Sequence, residues 1–417
     1  MDLEIVTVGT ELLLGFTIDS NTADISRAVS RVGGRVVRRV SVPDDERQIR
    51  DAVAGALRRS RFVVVTGGLG PTRDDVTKRA VAALFGAPLE LDDAYLRELD
   101  ARFASFRRGP MPPSNRSQAE VPRGATVLRN PRGTAPGLLL EGWLGTAVLL
   151  PGVPQEMRRM LEQDLVPLVK DRASHEGGGP TVIHSRLLRT TGVTESGLAS
   201  ALEPVLDDLG PVSLAYLPGW DGVDLRLTAW RLTAAQAAEV LDEAAACLMP
   251  TLHQWCYGTD DDDLAAVVLD ALRIQGLRLA VAESCTGGLV GARLTAIPGA
   301  SDVFVGGVIA YADELKTELL SVAPGLLEAH GAVSEEVVTA MARGAMDRFA
   351  ADAAVAVTGV AGPSGGSDEK PVGTVWLAAG VGEREHAVCH RFPGQRREVQ
   401  HRSAQSALDL VRLMVND

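Results

Sequence analysis

Three apolar runs, residues 3–8 (LEIVTV), 35–42 (RVVRRVSV) and 61–66 (RFVVVT), alternate with helical patterns at about 20–32 and 44–59. That order constrains the fold more than any other feature. A β-α-β-α-β succession predicts parallel strands joined by right-handed crossovers, with helices on both faces of a doubly wound sheet. The second helical pattern carries Asp44, Asp45 and Glu46 at its start and Arg58 and Arg59 at its end, matching the helix dipole. Helices at 75–85, 93–106 and 154–170 and a strand at 146–150 complete this first unit.

A chain of 417 residues is too long for one ordinary core, so several domains are expected. The polar, glycine-rich run at 171–180 (DRASHEGGGP) reads as a linker, and the acidic run at 258–263 (GTDDDD) marks a second boundary. The predicted domains are 1–172, 173–257 and 258–417. The middle one reads as a small α+β unit, with strands 181–190, 212–216 and 223–231 and helices 194–207 and 233–247. In the last, strands at 278–282, 303–311, 353–358, 372–380 and 385–392 alternate with helices at 264–275, 287–296, 313–320, 334–349 and 396–415.

A 46% hydrophobic content with 4% aromatics suits an α/β enzyme, and the net charge of -12 argues against direct nucleic-acid binding. Four scattered cysteines suggest a reducing compartment and no zinc knuckle. Acids within the first four residues and the lack of a basic leader or a ~20-residue apolar span point to a cytoplasmic location without membrane attachment. His386, Cys389 and His390 resemble a metal cluster, but strand alternation turns Cys389 away from the histidines. Gly219-Trp220-Asp221-Gly222 falls between two strands and reads as a hairpin turn rather than an RNA clamp.

Two sets of loops carry candidate chemistry. In the first domain, 66–80 (TGGLGPTRDDVTKRA) follows a strand; Gly67, Gly68 and Gly70 permit close backbone approach, and Asp74 and Asp75 could ligate a divalent ion, act as a base or cap a helix. Gly9-Thr10-Glu11 and Asp44-Asp45 would emerge at the same carboxyl edge. In the last domain, an apolar strand ends in Glu283-Ser284-Cys285-Thr286-Gly287-Gly288. A nucleophile there would meet amides able to hold an oxyanion. Cys285 is the stronger nucleophile but has no histidine nearby in sequence, whereas Ser284 needs a base. Lys316, kept neutral by burial, could supply it, with Tyr311 relaying the proton. The glycine-rich 358–366 (TGVAGPSGG) offers Thr358 and amides at Gly359 and Gly362, and Arg396 adds a cation.

These segments, with 130–141 and 149–161, resemble the CinA (competence/damage-inducible protein A) family in its full-length form. That resemblance implies a molybdopterin-binding-like first domain, a KH-like linker and a C-terminal deamidase domain. It implies hydrolysis of nicotinamide mononucleotide to nicotinic acid mononucleotide and ammonia, without a cofactor. Ser284 would be the nucleophile, Lys316 the base and Tyr311 its assistant. Glu283, Cys285, Thr286, Gly287, Gly288, Thr358, Gly359, Gly362 and Arg396 would contact substrate. It also implies metal-dependent ADP-ribose pyrophosphatase activity in the first domain. There Gly67, Gly68, Asp74, Asp75 and Lys78 would line the pyrophosphate and metal site, with Asp74 and Asp75 as ligands, and Thr10, Glu11, Asn21, Asp44 and Pro151–Gly152 would border it. A homodimer is implied as well. Gln395 and Gln400 depart from the family's usual acid and arginine. The competing functions are a molybdopterin-processing transferase and a non-enzymatic adaptor in DNA uptake or repair.

Overall fold

A computed structural model describes residues 1–105, 110–175 and 182–416. In the first domain, strands Arg35–Val42, Asp2–Val8, Phe62–Thr66 and Gly145–Leu150 lie side by side and parallel, in that order. Phe62 and Val64 face one helical layer with Ile25, Val29 and Met157, while Val63 and Val65 face another with Val53 and Leu57. Successive side chains on one strand thus enter two cores, each buried valine or leucine contributing about 1.5–3 kcal/mol. Arg59 does more than complement a dipole: it donates to the buried Glu4 carboxylate through Nε (2.8 Å) and Nη2 (2.6 Å).

The sheet continues into two antiparallel strands, Gly137–Gly142 and Thr126–Leu128, absent from the expectation. The first pairs with Gly145–Leu150 across the tight turn at Trp143-Leu144, so one long apolar run contains two strands. A further short pair, Leu89–Leu91 with Glu120–Pro122, was equally unforeseen. Helical structure runs from Pro154 through a π turn at Leu161–Leu165 to His175. The expected linker is therefore helical up to 175, and its remainder at 176–180 lies outside the described residues.

The middle sheet orders as Val212–Pro218, Val223–Leu232, Val182–Thr190 and Cys256–Thr259. Its last strand, also unforeseen, pairs antiparallel with Val182–Thr190. The turn expected at 219–222 is present, closed by the Gly219 amide on the Gly222 carbonyl (2.8 Å).

In the last domain, Phe304–Ile309, Leu279–Glu283 and Ala353–Gly359 are parallel, and Thr374–Val381 and Arg384–Arg391 extend the sheet antiparallel. Leu279 and Val281 enter one core with Leu264–Gln275 and Arg396–Asn416, whereas Ala280 and Ala282 face the helix Glu335–Phe349. Small residues are required on that second face. A Cβ on Gly344 would come within 1.9 Å of the Leu320 carbonyl oxygen, so the helices pack through bare backbone there. Among the described residues no helix is long and apolar enough to cross a membrane.

Candidate functional site

The first domain's carboxyl edge is held together by its own polar groups. The Thr10 amide and hydroxyl both donate to Asp44 Oδ2 at 2.9 Å, and Asn21 Nδ2 donates to Thr66 Oγ1 (3.1 Å) and to the Gly152 carbonyl (2.8 Å). The Thr66 hydroxyl in turn donates to the Pro151 carbonyl (3.0 Å). Gly67 has φ +105°, and a Cβ there would lie 2.1 Å from the Val8 carbonyl oxygen, so only glycine allows these strand ends to meet.

Asp75 is largely committed to this scaffold. Oδ1 accepts from the Gly70 amide (2.8 Å), and Oδ2 accepts from the Thr72 amide (2.8 Å) and hydroxyl. Of the alternatives open in the sequence, the structure gives Asp75 the loop-closing one. Asp74 is exposed, and hydrogen bonding from Thr72 and its own amide keeps its carboxyl below the ordinary range. Lys78 turns to the Ser117 carbonyl, and burial lowers its pKa to about 8.

A cavity of about 540 Å³ opens beside the loop, lined by Glu11, Asp44, Gly67, Gly68, Asp74, Asp75, Gly152 and, not among the expected site residues, Gln118 and Glu156. Thr10, Asn21 and Lys78 are not on its wall. Glu156 accepts from Asn130 Nδ2, and burial raises its carboxyl above the usual range. Gly133 makes that approach possible, since a Cβ would meet the Glu156 carboxyl at 2.0 Å. Among the described residues no lysine or arginine lines this wall, although five carboxylates do. Among the described residues no three acids, histidines or cysteines converge as a ready-made cation cage.

In the last domain the loops after three parallel strands meet through the backbone. The Ser284 amide donates to the Val357 carbonyl (2.9 Å), and the Ala310 amide donates to the Glu283 carbonyl (2.8 Å). Ser284 is thereby seated between the segments carrying Tyr311 and Thr358, and it is 7% exposed. Lys316, 1% exposed, directs Nζ to Asp313 Oδ1 (3.0 Å) and to the Tyr311 carbonyl (3.4 Å). The expected base is an amine paired with a carboxylate, because Asp313 lies one helical turn before it.

Several expected ligand contacts are architectural. Glu283 Oε2 accepts from the Gly288 (2.9 Å) and Val290 (3.1 Å) amides and Oε1 from Gly291 (2.8 Å), capping the helix Leu289–Thr295. The Gly287 amide donates to the Ser284 carbonyl (3.1 Å), so these glycine amides are not free for an oxyanion. Cys285 packs in the apolar core, where burial pushes its thiol up to about 12. It is a structural thiol at neutral pH rather than a nucleophile. The buried Thr286 Oγ1 has no hydrogen-bond partner.

Thr358 donates its hydroxyl proton to the Ala332 carbonyl (2.8 Å), and a Cβ on Gly359 would strike Val375 at 2.7 Å. Arg396 joins two loops, donating to the Gly362 carbonyl (2.8 Å) and to the Tyr311 hydroxyl (2.9 Å). Gln400, where the family usually has arginine, donates to the Cys285 carbonyl (2.8 Å) and braces the loop that carries Ser284. The Gln395 amide donates to Glu398 Oε2 (2.6 Å). Cys389 and His390 enter no metal-like cluster; His390 stacks on Phe392 at 5.1 Å.

Two α/β units with polar loops at the carboxyl edge of parallel strands, separated by a small α+β unit, define a multidomain α/β protein with a ligand-facing edge at each end of the sequence. Residues 4–171 match the family described as "Probable molybdopterin binding domain", 185–258 the damage-inducible protein CinA KH domain, and 261–415 the CinA C-terminal domain. A CinA-like protein of Gemmatimonas aurantiaca is 50% identical over 99% of this chain and 96% of its own. One from Parasynechococcus marenigrum is 45% identical over 98% and 97%. The crystal structure of a competence/damage-inducible protein from Agrobacterium tumefaciens aligns at 39% identity over 37% of this chain and 94% of its own, with a TM-score of 0.35. The chain belongs to the CinA family.

Proposed function

We propose that the last domain hydrolyses nicotinamide mononucleotide to nicotinic acid mononucleotide and ammonia. The observation that carries this reading is the seating of Ser284 between two strand ends, in a loop whose neighbour holds the buried Lys316. Ser284 Oγ attacks the carboxamide carbon and its proton passes to Lys316. The C–N bond breaks as the leaving nitrogen takes that proton, and water then cleaves the ester to release the carboxylate and restore Ser284. Lys316 accepts a proton only after giving one up, and the exposed Asp313 carboxylate provides the route to solvent. The Thr286 amide, for which no acceptor is found among the described residues, is the donor available to the oxyanion. Arg396 donates to the Tyr311 oxygen and leaves that hydroxyl's proton free to face substrate. Purified protein incubated with nicotinamide mononucleotide should release equal amounts of ammonia and nicotinic acid mononucleotide; an unchanged nucleotide would dismiss the reading.

The first domain, on the same proposal, cleaves the pyrophosphate of ADP-ribose with a divalent cation. Its cavity supports this through its charge, because a wall of carboxylates with no cationic side chain among the described residues repels phosphate unless a metal ion intervenes. Asp74, with Glu11 or Asp44 across the cavity, would hold such an ion, and it would polarise the phosphoryl oxygens. Magnesium suits a site of one or two carboxylates completed by phosphate oxygens and water. The match to a molybdopterin-binding family keeps pterin turnover as the second reading, and product analysis with ADP-ribose against a pterin substrate decides between them.

A further inference from the structure

A second cleft, of about 420 Å³, lies between the hairpin turn at 218–223 and the C-terminal helix Arg396–Asn416. Its volume falls in the range of small-ligand sites, roughly 300–1,000 Å³. Two donors on its wall are unspent: Arg402 Nε and Gln405 Nε2 are buried and neither has a hydrogen-bond partner. Gln405 is 2% exposed, and its carbonyl oxygen is fixed by Arg293 Nη1 (2.7 Å), so its amide nitrogen is held in place without an acceptor. A buried donor without a partner is destabilising, and a ligand oxygen would relieve that cost. Two aromatic rings line it. Trp220 comes from the turn, tilted against His401 at 5.2 Å, and Phe392 comes from the end of the last strand. Two acids share the wall: Asp221, 3.9 Å from Arg293, and Glu195.

We propose that this cleft binds a nucleoside monophosphate. The base stacks on the aromatic walls, Glu195 accepts from the ribose hydroxyls, and the phosphate takes the donors of Arg402 and Gln405. The acids exclude a bare anion, since only a ligand that also carries hydroxyl donors satisfies them. The site lies on a different face of the helix from Arg396 and Gln400, and the proposal stands independently of both activities above.

Titrating the full-length protein with AMP tests this, read by Trp220 fluorescence against a Trp220→Phe control that subtracts the other tryptophans. The expected result is a saturable Trp220 signal, weakened at least tenfold by Arg402→Met. Adenosine and inorganic phosphate alone should each bind at least tenfold more weakly than AMP. Trp220→Ala alters a half-exposed side chain and so should fold; by calorimetry it should remove one class of AMP sites. AMP that leaves Trp220 unaffected, equal binding to Arg402→Met, or adenosine binding as well as AMP would each overturn the proposal.

Discussion

The two candidate edges use the same architecture in opposite ways. In the first domain the residues expected to meet ligand are largely tied to each other: Asp44 to Thr10, Asn21 to Gly152, and Asp75 to Gly70 and Thr72. The chemistry is left to an open, acidic wall. In the last domain the glycine amides and Glu283 are consumed in holding the loop, and Ser284 is itself enclosed, in a loop joined through the backbone to the strand end that leads to the buried Lys316. On the proposed reading, one edge needs a metal ion to meet its substrate, whereas the other relies on Lys316 from the chain itself. This difference predicts metal dependence at one site and independence at the other.

Replacing Lys316 tests the second half hardest. Lys316→Met should lower kcat for deamidation by roughly 10²–10⁴ while KM moves little; equal loss in both would make the lysine a binding group and erase the contrast. A chelator should reduce ADP-ribose cleavage by at least about 100-fold and leave deamidation within twofold. Common sensitivity to the chelator would show that the two edges do not differ in this way.

Lys78 sharpens the account of the first domain. Its folded pKa of about 8 lies below the ordinary lysine value of 10.5, so between those limits the unfolded chain holds the extra proton. Stability should therefore rise as pH increases from 8 toward 10.5, by at most about 3 kcal/mol. Lys78→Met should remove that rise in denaturant titrations; an identical slope in the variant would place the lysine in solvent. The smallest effect is expected at Gln400. Losing its bond to the Cys285 carbonyl should cost about 1 kcal/mol of stability and loosen the Ser284 loop, so Gln400→Ala should fall in kcat with a small drop in melting temperature. Full activity would mean that the brace is dispensable.

The parallel strands and their helices were legible because each run is apolar, long and followed by a turn signal. The antiparallel additions were not. Gly137–Gly142 and Gly145–Leu150 form one apolar stretch broken by two residues, and Cys256–Thr259 is four residues long with no alternation of its own. Site positions were readable as polar groups and glycines after strands. Their partners depend on loop closure: Glu283 looked like a substrate contact because nothing local shows that its strand end lies under three helix amides. Asp313, by contrast, could have been found, since it stands three residues before Lys316 on the same expected helix. Glu156 lay within a quoted segment but reaches the cavity only because Gly133 and Asn130 fold over it.

Ammonia release from nicotinamide mononucleotide by Ser284→Ala and Cys285→Ala, measured side by side with folding verified, probes the enclosed hydroxyl most directly. The account predicts that the serine variant is silent and that the cysteine variant retains most of its turnover. Activity surviving in Ser284→Ala and lost in Cys285→Ala would contradict it.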